Sequence, residues 1–203
     1  MSAIAEAPPA GARERVLAAA DQLFYERGIH TVGVNEIVRQ AGVAKTSLYL
    51  HFASKDELVA TYLKGRGDLY RDEWTRLLED RTGDPPEEQL DAIFDVLAAF
   101  VAARNFRGCP FSNAAAELCE PDHPGRVAID EYRRFVRDTL FATVAARAGV
   151  TETTALSEKL QLMYDASLAA SLADGHGAPV ERARETARLL LRVALDEDGS
   201  DVR

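Results

Sequence analysis

The sequence predicts an all-α protein of about nine helices, with a small N-terminal domain and a larger C-terminal bundle. Three observations carry this. Apolar residues recur at spacings of three and four through most of the chain, as amphipathic helices require. Glycine and proline clusters cut these runs into segments of helical length. No stretch alternates apolar and polar residues as a half-buried strand does, and there is no internal repeat.

The elements follow in order. Met1–Gly11 has no basic region and no long apolar run, and it carries Pro8-Pro9, so it reads as a flexible leader and not as a secretion signal. The first helix spans about Ala12 to Arg27, with Val16, Leu17, Ala20, Leu23 and Phe24 as its stripe and Gly28 at its end. Val34, Ile37, Val38 and Ala41 form the apolar face of a short second helix. Gly42 stops it, because glycine enters the left-handed conformation of a helix end without steric cost. A third short helix begins near Ala44 and points Leu48 and Phe52 inward. Ser54 opens a long helix to about Arg81, and Ser54 with Glu57 predicts a capping box. Gly65 and Gly67 each weaken that helix by about 1 kcal/mol and mark candidate bends.

After the break at Thr82–Pro86, a helix over about 87–104 turns Leu90, Ile93, Phe94, Leu97 and Val101 inward. Pro110 suits the first position of the next helix, where its missing N–H is no loss. A long helix follows from about Arg126 to Arg147, with Val127, Tyr132, Phe135, Val136, Leu140 and Val144 on its apolar side and Gly149 at its end. Two helices, about 152–174 and 179–197, precede a polar tail. The divisions are a leader over 1–11, a small helix-turn-helix domain over 12–53, a larger helical bundle over 54–197, and the tail over 198–203.

The second and third helices carry the functional signal. At about 100° per residue, Thr46 and Leu50 point most directly away from Leu48, with Ser47 and Tyr49 on the flanks. Lys45 stands at one end, and His51 and Lys55 at the other. A helix-turn-helix needs this layout: small and hydrogen-bonding groups enter the major groove, and flanking groups hold phosphate. Thr46, Ser47 and Tyr49 are the candidate reading residues, and Leu50 is placed for a thymine methyl. Lys45, His51 and Lys55 are the phosphate candidates; His51, beside Phe52, is also open to a structural role.

The net charge of −9 argues against a DNA partner, but its distribution does not. Residues 1–65 are neutral overall, and residues 66–203 carry the whole −9. Between 27 and 55 the net charge is +3. No apolar run approaches the roughly 18 residues of a membrane span. Cys109 and Cys119 make no disulfide framework, which fits a reducing cytoplasm. The four histidines show no metal-ligand spacing, and there is no phosphate-binding glycine loop or nucleophile elbow. No catalytic site, metal or cofactor is expected.

From Arg13 to Leu63 the chain resembles the DNA-binding domain of the TetR family of transcriptional regulators. The resemblance rests on Leu23-Phe24…Gly28, Val34-Asn-Glu-Ile37, Ala41-Gly42-Val43, Leu48-Tyr49…His51-Phe52 and Ser54-Lys-Asp-Glu-Leu58. It implies a double-stranded DNA operator, a small-molecule effector held by the middle helices, and a homodimer. Arg107-Gly-Cys-Pro-Phe-Ser-Asn113 resembles a run that borders the effector cavity in some members. The ligand-facing candidates are therefore Tyr70, Trp74, Phe94, Cys109, Phe111, Asn113 and Phe135. Cys109, next to a helix N-terminus, is open either to thiolate chemistry or to plain packing. The resemblance places a four-helix dimer interface on the last two helices, through Leu156, Leu160, Met163, Ser167, Ala183, Ala187, Leu190 and Leu191; intramolecular packing explains the same faces. The expected function is a repressor released from a palindromic operator by its ligand. The rival is a small-molecule binding protein that has lost DNA binding, suggested by the acidic total and by Ala44, which lacks a capping hydroxyl.

Overall fold

The computed structural model describes residues 11–200, with side chains to residue 197. The leader expected over 1–11, apart from Gly11, lies outside the described residues, as does the end of the tail at 201–203. Among the described residues all regular structure is helical. The helices are α1 (Ala12–Arg27), α2 (Val34–Ala41), α3 (Lys45–His51), α4 (Lys55–Asp80), α5 (Pro86–Ala102), α6 (Pro110–Glu117), α7 (Gly125–Phe135), α8 (Ala142–Ala148), α9 (Thr153–Asp174) and α10 (Ala178–Ser200). A π-helical turn, Val136–Phe141, joins α7 to α8 without a break, so the described chain forms nine rods. α10 continues through 198–200, where the sequence suggested a polar tail.

At the N-terminal end, α1–α3 share a core. Val16, Ala20, Leu23 and Phe24 meet Ile37, Leu48 and Phe52, all buried. Burying side chains of this size stabilises by about 1.5–3 kcal/mol each. Gly42 has φ 62° and ψ 40°. Its N–H reaches the Arg39 carbonyl, and the Val43 N–H reaches Val38 at 3.1 Å. These paired bonds satisfy the last carbonyls of α2 and set the sharp turn into α3. The cap at α4 differs from the simple box. The Glu57 N–H donates to Ser54 Oγ at 3.0 Å, but the Glu57 carboxylate accepts from Ala53 N–H, one residue earlier, at 2.6 Å.

α4 runs unbroken through Gly65 and Gly67, so neither interrupts the helix. Gly67 is buried where α4 passes Phe111; a Cβ there would lie 3.7 Å from that ring. Around α4 pack α5, α7 and the π turn, while α9 and α10 pair along their length.

The π turn has a clear origin. Ala128, Tyr132, Val136, Leu140 and Val144 are spaced by four, and all are buried. On a plain α-helix each step of four drifts by about 40°. The wider π turn offsets part of that drift midway along the run. The same rod corrects one expectation: Val127, assigned to the apolar side, is 61% exposed.

Candidate functional site

α3 presents its outer face to solvent. Thr46, Tyr49, Leu50 and His51 are exposed and Ser47 is half-buried, while Leu48 and Phe52 are fully enclosed behind them. Leu50 is 82% exposed, the most open large apolar side chain among the described residues. Lys45 is exposed at the start of the helix, where Ala44 adopts an extended conformation and offers no side-chain acceptor to the first turn. His51 is exposed, outside the core that encloses Phe52. Arg13 was not singled out from the sequence. Its guanidinium lies 5.5 Å from the Phe52 ring centroid, which brings an exposed cation to the far end of α3.

Lys55 departs from its expected role. Its ammonium donates to the Ile29 carbonyl at 2.6 Å and lies 5.9 Å from the Phe24 ring centroid. Burial pushes its pKa below the ordinary lysine value, against the opposing pull of Asp56 and Glu117. It therefore ties the start of α4 to the α1–α2 loop and does not extend into solvent.

Three further sets of contacts bind the α1–α3 unit to the helices behind it. The His30 N–H donates to a Glu117 carboxylate oxygen at 2.7 Å, and the His30 ring pairs with the Glu117 carbonyl at 2.6 Å, so α6 grips the α1–α2 loop. The Tyr25 hydroxyl of α1 accepts from the Arg107 N–H at 2.9 Å and donates to the Gly108 carbonyl at 3.2 Å. Arg66 of α4 makes a two-pronged pair with Asp21 of α1, at 2.7 and 2.9 Å. The same guanidinium lies 4.6 Å from the Tyr25 ring centroid and donates to the Tyr70 hydroxyl at 3.2 Å.

Tyr70 is also part of a cavity wall. The cavity, about 270 Å³, lies among α4, α5, α7, α9 and the start of α6. Tyr70, Glu73 and Trp74 come from α4, and Val96, Leu97, Ala99 and Phe100 from α5. Cys109 and Pro110, Tyr132, and Tyr164 with Leu168 complete it. Of the expected ligand-facing residues, Tyr70, Trp74 and Cys109 line this space. The other four do not. Phe94 is fully buried in core, and Phe111 stacks on Tyr132 from behind, with centroids 4.0 Å apart. The Asn113 side chain donates to the Arg107 carbonyl and faces a different cleft, and Phe135 packs half-buried against the core. Tyr132, Tyr164 and Phe100 are the aromatic wall residues that sequence reasoning missed. Of the three, helical spacing placed only Tyr132 on an apolar face. Cys109 is buried, and burial raises its thiol pKa.

A wider cleft of about 520 Å³ lies at the junction of the two regions, lined by His30, Lys55, Asp56 and His123 among others. Three of its polar groups are already engaged: His123 approaches Asp56 at 3.5 Å, His30 is held by Glu117, and Lys55 by the Ile29 carbonyl, while Glu120 and Asp122 complete an acidic polar lining. The apolar cavity is the better ligand candidate.

Comparison with known proteins bears on both features. Residues 16–62, which hold α2, α3 and most of α1, match the family described as bacterial regulatory proteins, tetR family. A crystal structure of a TetR-family transcriptional regulator from Streptomyces coelicolor is 30% identical, superposes with a TM-score of 0.82, and is matched over 95% of its length and 90% of this chain. The chain belongs to the TetR family. The likeness thus extends past the family segment to the cavity-bearing helices. The Escherichia coli transcriptional repressor NemR is 30% identical over 124 residues, which span 61% of this chain and 62% of NemR. The Bacillus subtilis transcriptional regulator LmrA is 30% identical over 120 residues, 59% of this chain and 63% of LmrA.

Within this TetR-family chain, α9 and α10 correct the dimer expectation. Leu156, Leu160, Ser167, Ala183, Ala187 and Leu191 are buried in the chain's own packing, and Met163 and Leu190 are half-buried. These residues form the seam between α9 and α10 and its contacts with the rest of the chain, so the buried six are not available to a second subunit. The outer faces carry other apolar groups: Leu162 (61% exposed) and Leu189 (55% exposed), with Ala166, Ala169 and Val193 exposed beside them. No described helix is long and apolar enough to cross a membrane.

Proposed function

We propose that the chain is a cytoplasmic, homodimeric DNA-binding regulator, a repressor that leaves a palindromic operator when a small molecule enters the apolar cavity. In this reading residues 12–53 form the DNA-binding domain and residues 54–197 hold ligand and dimer. One observation carries it: the uncommitted outer face of α3 is mounted on a rigid core, and that core is bonded to the helix that walls the cavity. Thr46, Ser47, Tyr49 and Leu50 read bases, and Lys45, His51 and Arg13 hold phosphate. Lys55 positions the domain from behind. The dimer forms on the outward apolar surface of α9 and α10, around Leu162 and Leu189.

Release follows from α4. Its first turn abuts α3, and its middle reaches the cavity through Tyr70 and Trp74. A ligand that shifts Tyr70 disturbs Arg66 and, through it, Asp21 of α1. The separation of the two recognition helices then changes, and both half-sites lose contacts. Linkage requires the ligand to bind the DNA-free form more tightly, with a typical coupling of about 1–3 kcal/mol.

The test is to select genomic fragments with the purified protein and footprint them. Two half-sites related by a two-fold axis are expected, with affinity falling steeply as salt rises. A single asymmetric half-site bound by a monomer would overturn the dimeric reading. Failure to retain any fragment at low salt would overturn DNA binding itself.

A further inference from the structure

The cavity contains a polar chain whose hydrogens do not all find acceptors. Trp74 Nε1 donates to the Tyr132 hydroxyl at 3.2 Å, and the Tyr132 and Tyr164 hydroxyls lie 3.0 Å apart. An indole N–H donates one hydrogen, and each phenol has one hydrogen to give. The Trp74 hydrogen is used on Tyr132. Of the two phenolic hydrogens, one joins the pair. The other has no acceptor among the described residues, although both side chains are almost wholly buried.

The direction of the chain identifies the spare hydrogen. A hydroxyl that accepts a bond becomes a better donor, so bonds in a chain reinforce one another when they run the same way. Tyr132 accepts from Trp74, so the mutually reinforcing arrangement has it donate to Tyr164. The Tyr164 hydrogen is left over. Burial raises both phenol pKa values, so both groups remain protonated donors at neutral pH.

The surroundings restrict what can accept it. The cavity wall has no lysine or arginine, and its one charged group is the Glu73 carboxylate, exposed at the rim. Moving an anion into such a space is costly without a cation to meet it, and Glu73 adds repulsion at the entrance. A neutral oxygen has neither problem. The remaining wall, including Leu97, Phe100 and Leu168, favours apolar bulk.

We propose that the cavity takes an uncharged, largely apolar molecule bearing one carbonyl-type acceptor, and that the Tyr164 hydroxyl donates to that acceptor. The assignment rests on the reading of the cavity as the effector site. It makes Tyr164 a specificity-determining residue: removing the acceptor from the ligand, or the donor from the protein, removes the same bond.

Trp74 is the only tryptophan of the chain, so its fluorescence reports binding at this wall. The experiment titrates full-length wild type, Tyr164→Phe and Tyr132→Phe with acetophenone, ethylbenzene and benzoate. Tyr164→Phe should weaken acetophenone about tenfold more than ethylbenzene, the loss of roughly one buried hydrogen bond. Tyr132→Phe leaves the Tyr164 hydrogen in place and should keep the acetophenone preference. Benzoate should bind at least tenfold more weakly than acetophenone to wild type. Comparing ratios cancels the different hydration of the probes, and ethylbenzene binding shows that each variant is folded. Equal weakening of acetophenone and ethylbenzene by Tyr164→Phe, loss of the preference only in Tyr132→Phe, or benzoate as the best ligand would each overturn the proposal while leaving the cavity a binding site. If none of the three probes perturbed Trp74, the cavity reading itself would fail, and the inference with it.

Discussion

The outer face of α3 and the wall of the cavity are built on opposite plans. On α3 the side chains of Thr46, Tyr49, Leu50 and His51 are exposed, and the backbone beneath them is fixed by Gly42, Leu48 and Phe52. Around the cavity nearly every aromatic is already engaged. Tyr132 stacks on Phe111, Tyr70 meets Phe100, Phe111 and Tyr132 edge-on, and Trp74 packs against Tyr164. The first surface can meet a rigid partner without rearranging itself. The second admits a guest only by disturbing neighbours, and those neighbours include Arg66. The surface suited to reading is thus passive, and the cavity is wired to its surroundings.

The largest effect should come from removing the support under the passive surface. Phe52→Ala deletes a fully buried ring, and such losses cost about 3–5 kcal/mol. Chemical denaturation should show that drop together with loss of DNA binding, while a cavity ligand still perturbs Trp74. Ligand and DNA binding lost together, with Trp74 exposed, would mean that the two regions fold as one unit.

Cutting the wiring should have a smaller and more selective effect. Arg66→Ala separates Tyr70 from Asp21. DNA affinity without ligand should stay near wild type, while the ligand-induced loss of affinity shrinks by a large part of the usual coupling of about 1–3 kcal/mol. Unchanged release would move the connection to Glu117 and His30. On the reading face, Thr46→Ala should lower discrimination at one base position by about 1–3 kcal/mol. Lys45→Ala should weaken all sequences alike and reduce the salt slope by about one. If the two variants behaved identically, the division between reading and holding would be wrong.

The smallest effect is expected at Gly65, which is exposed, helical and has open space where a Cβ would sit. Gly65→Ala should stabilise the fold by about 0.5–1 kcal/mol. Because α4 is continuous there, ligand-induced release should be unchanged. Lost release would show that α4 must bend at this point.

The same contrast explains what could be read in advance. The turn at Gly42 and the anchors Leu48 and Phe52 are set by neighbours within ten residues, so spacing alone places them. The cavity depends on how segments up to about a hundred positions apart cross. Spacing shows that Phe94 and Tyr132 point inward, but not that only Tyr132 borders a void. The dimer surface failed for a related reason. Small and apolar residues such as Ala183 and Ala187 mark wherever two helices approach closely, and here that is the chain's own seam. Leu162 and Leu189, apolar residues off the main stripes, are the ones left exposed on these helices. Lys55 donates to the Ile29 carbonyl and approaches the Phe24 ring, and a backbone partner leaves no mark in a side-chain pattern.

The π turn at 136–141 also bears on how the chain should align with its relatives. A π turn holds about one residue more than the α turn it replaces, so the rod contains a position that its length does not require. Removing one residue there should shorten the text of the helix without moving its ends: Tyr132 would keep its place beside the cavity, and Val144 its place in the core. A relative with a one-residue gap at this point would therefore preserve the architecture on both sides of it. The gap would fall in the middle of a helix, where alignments are usually scored as if none could be tolerated.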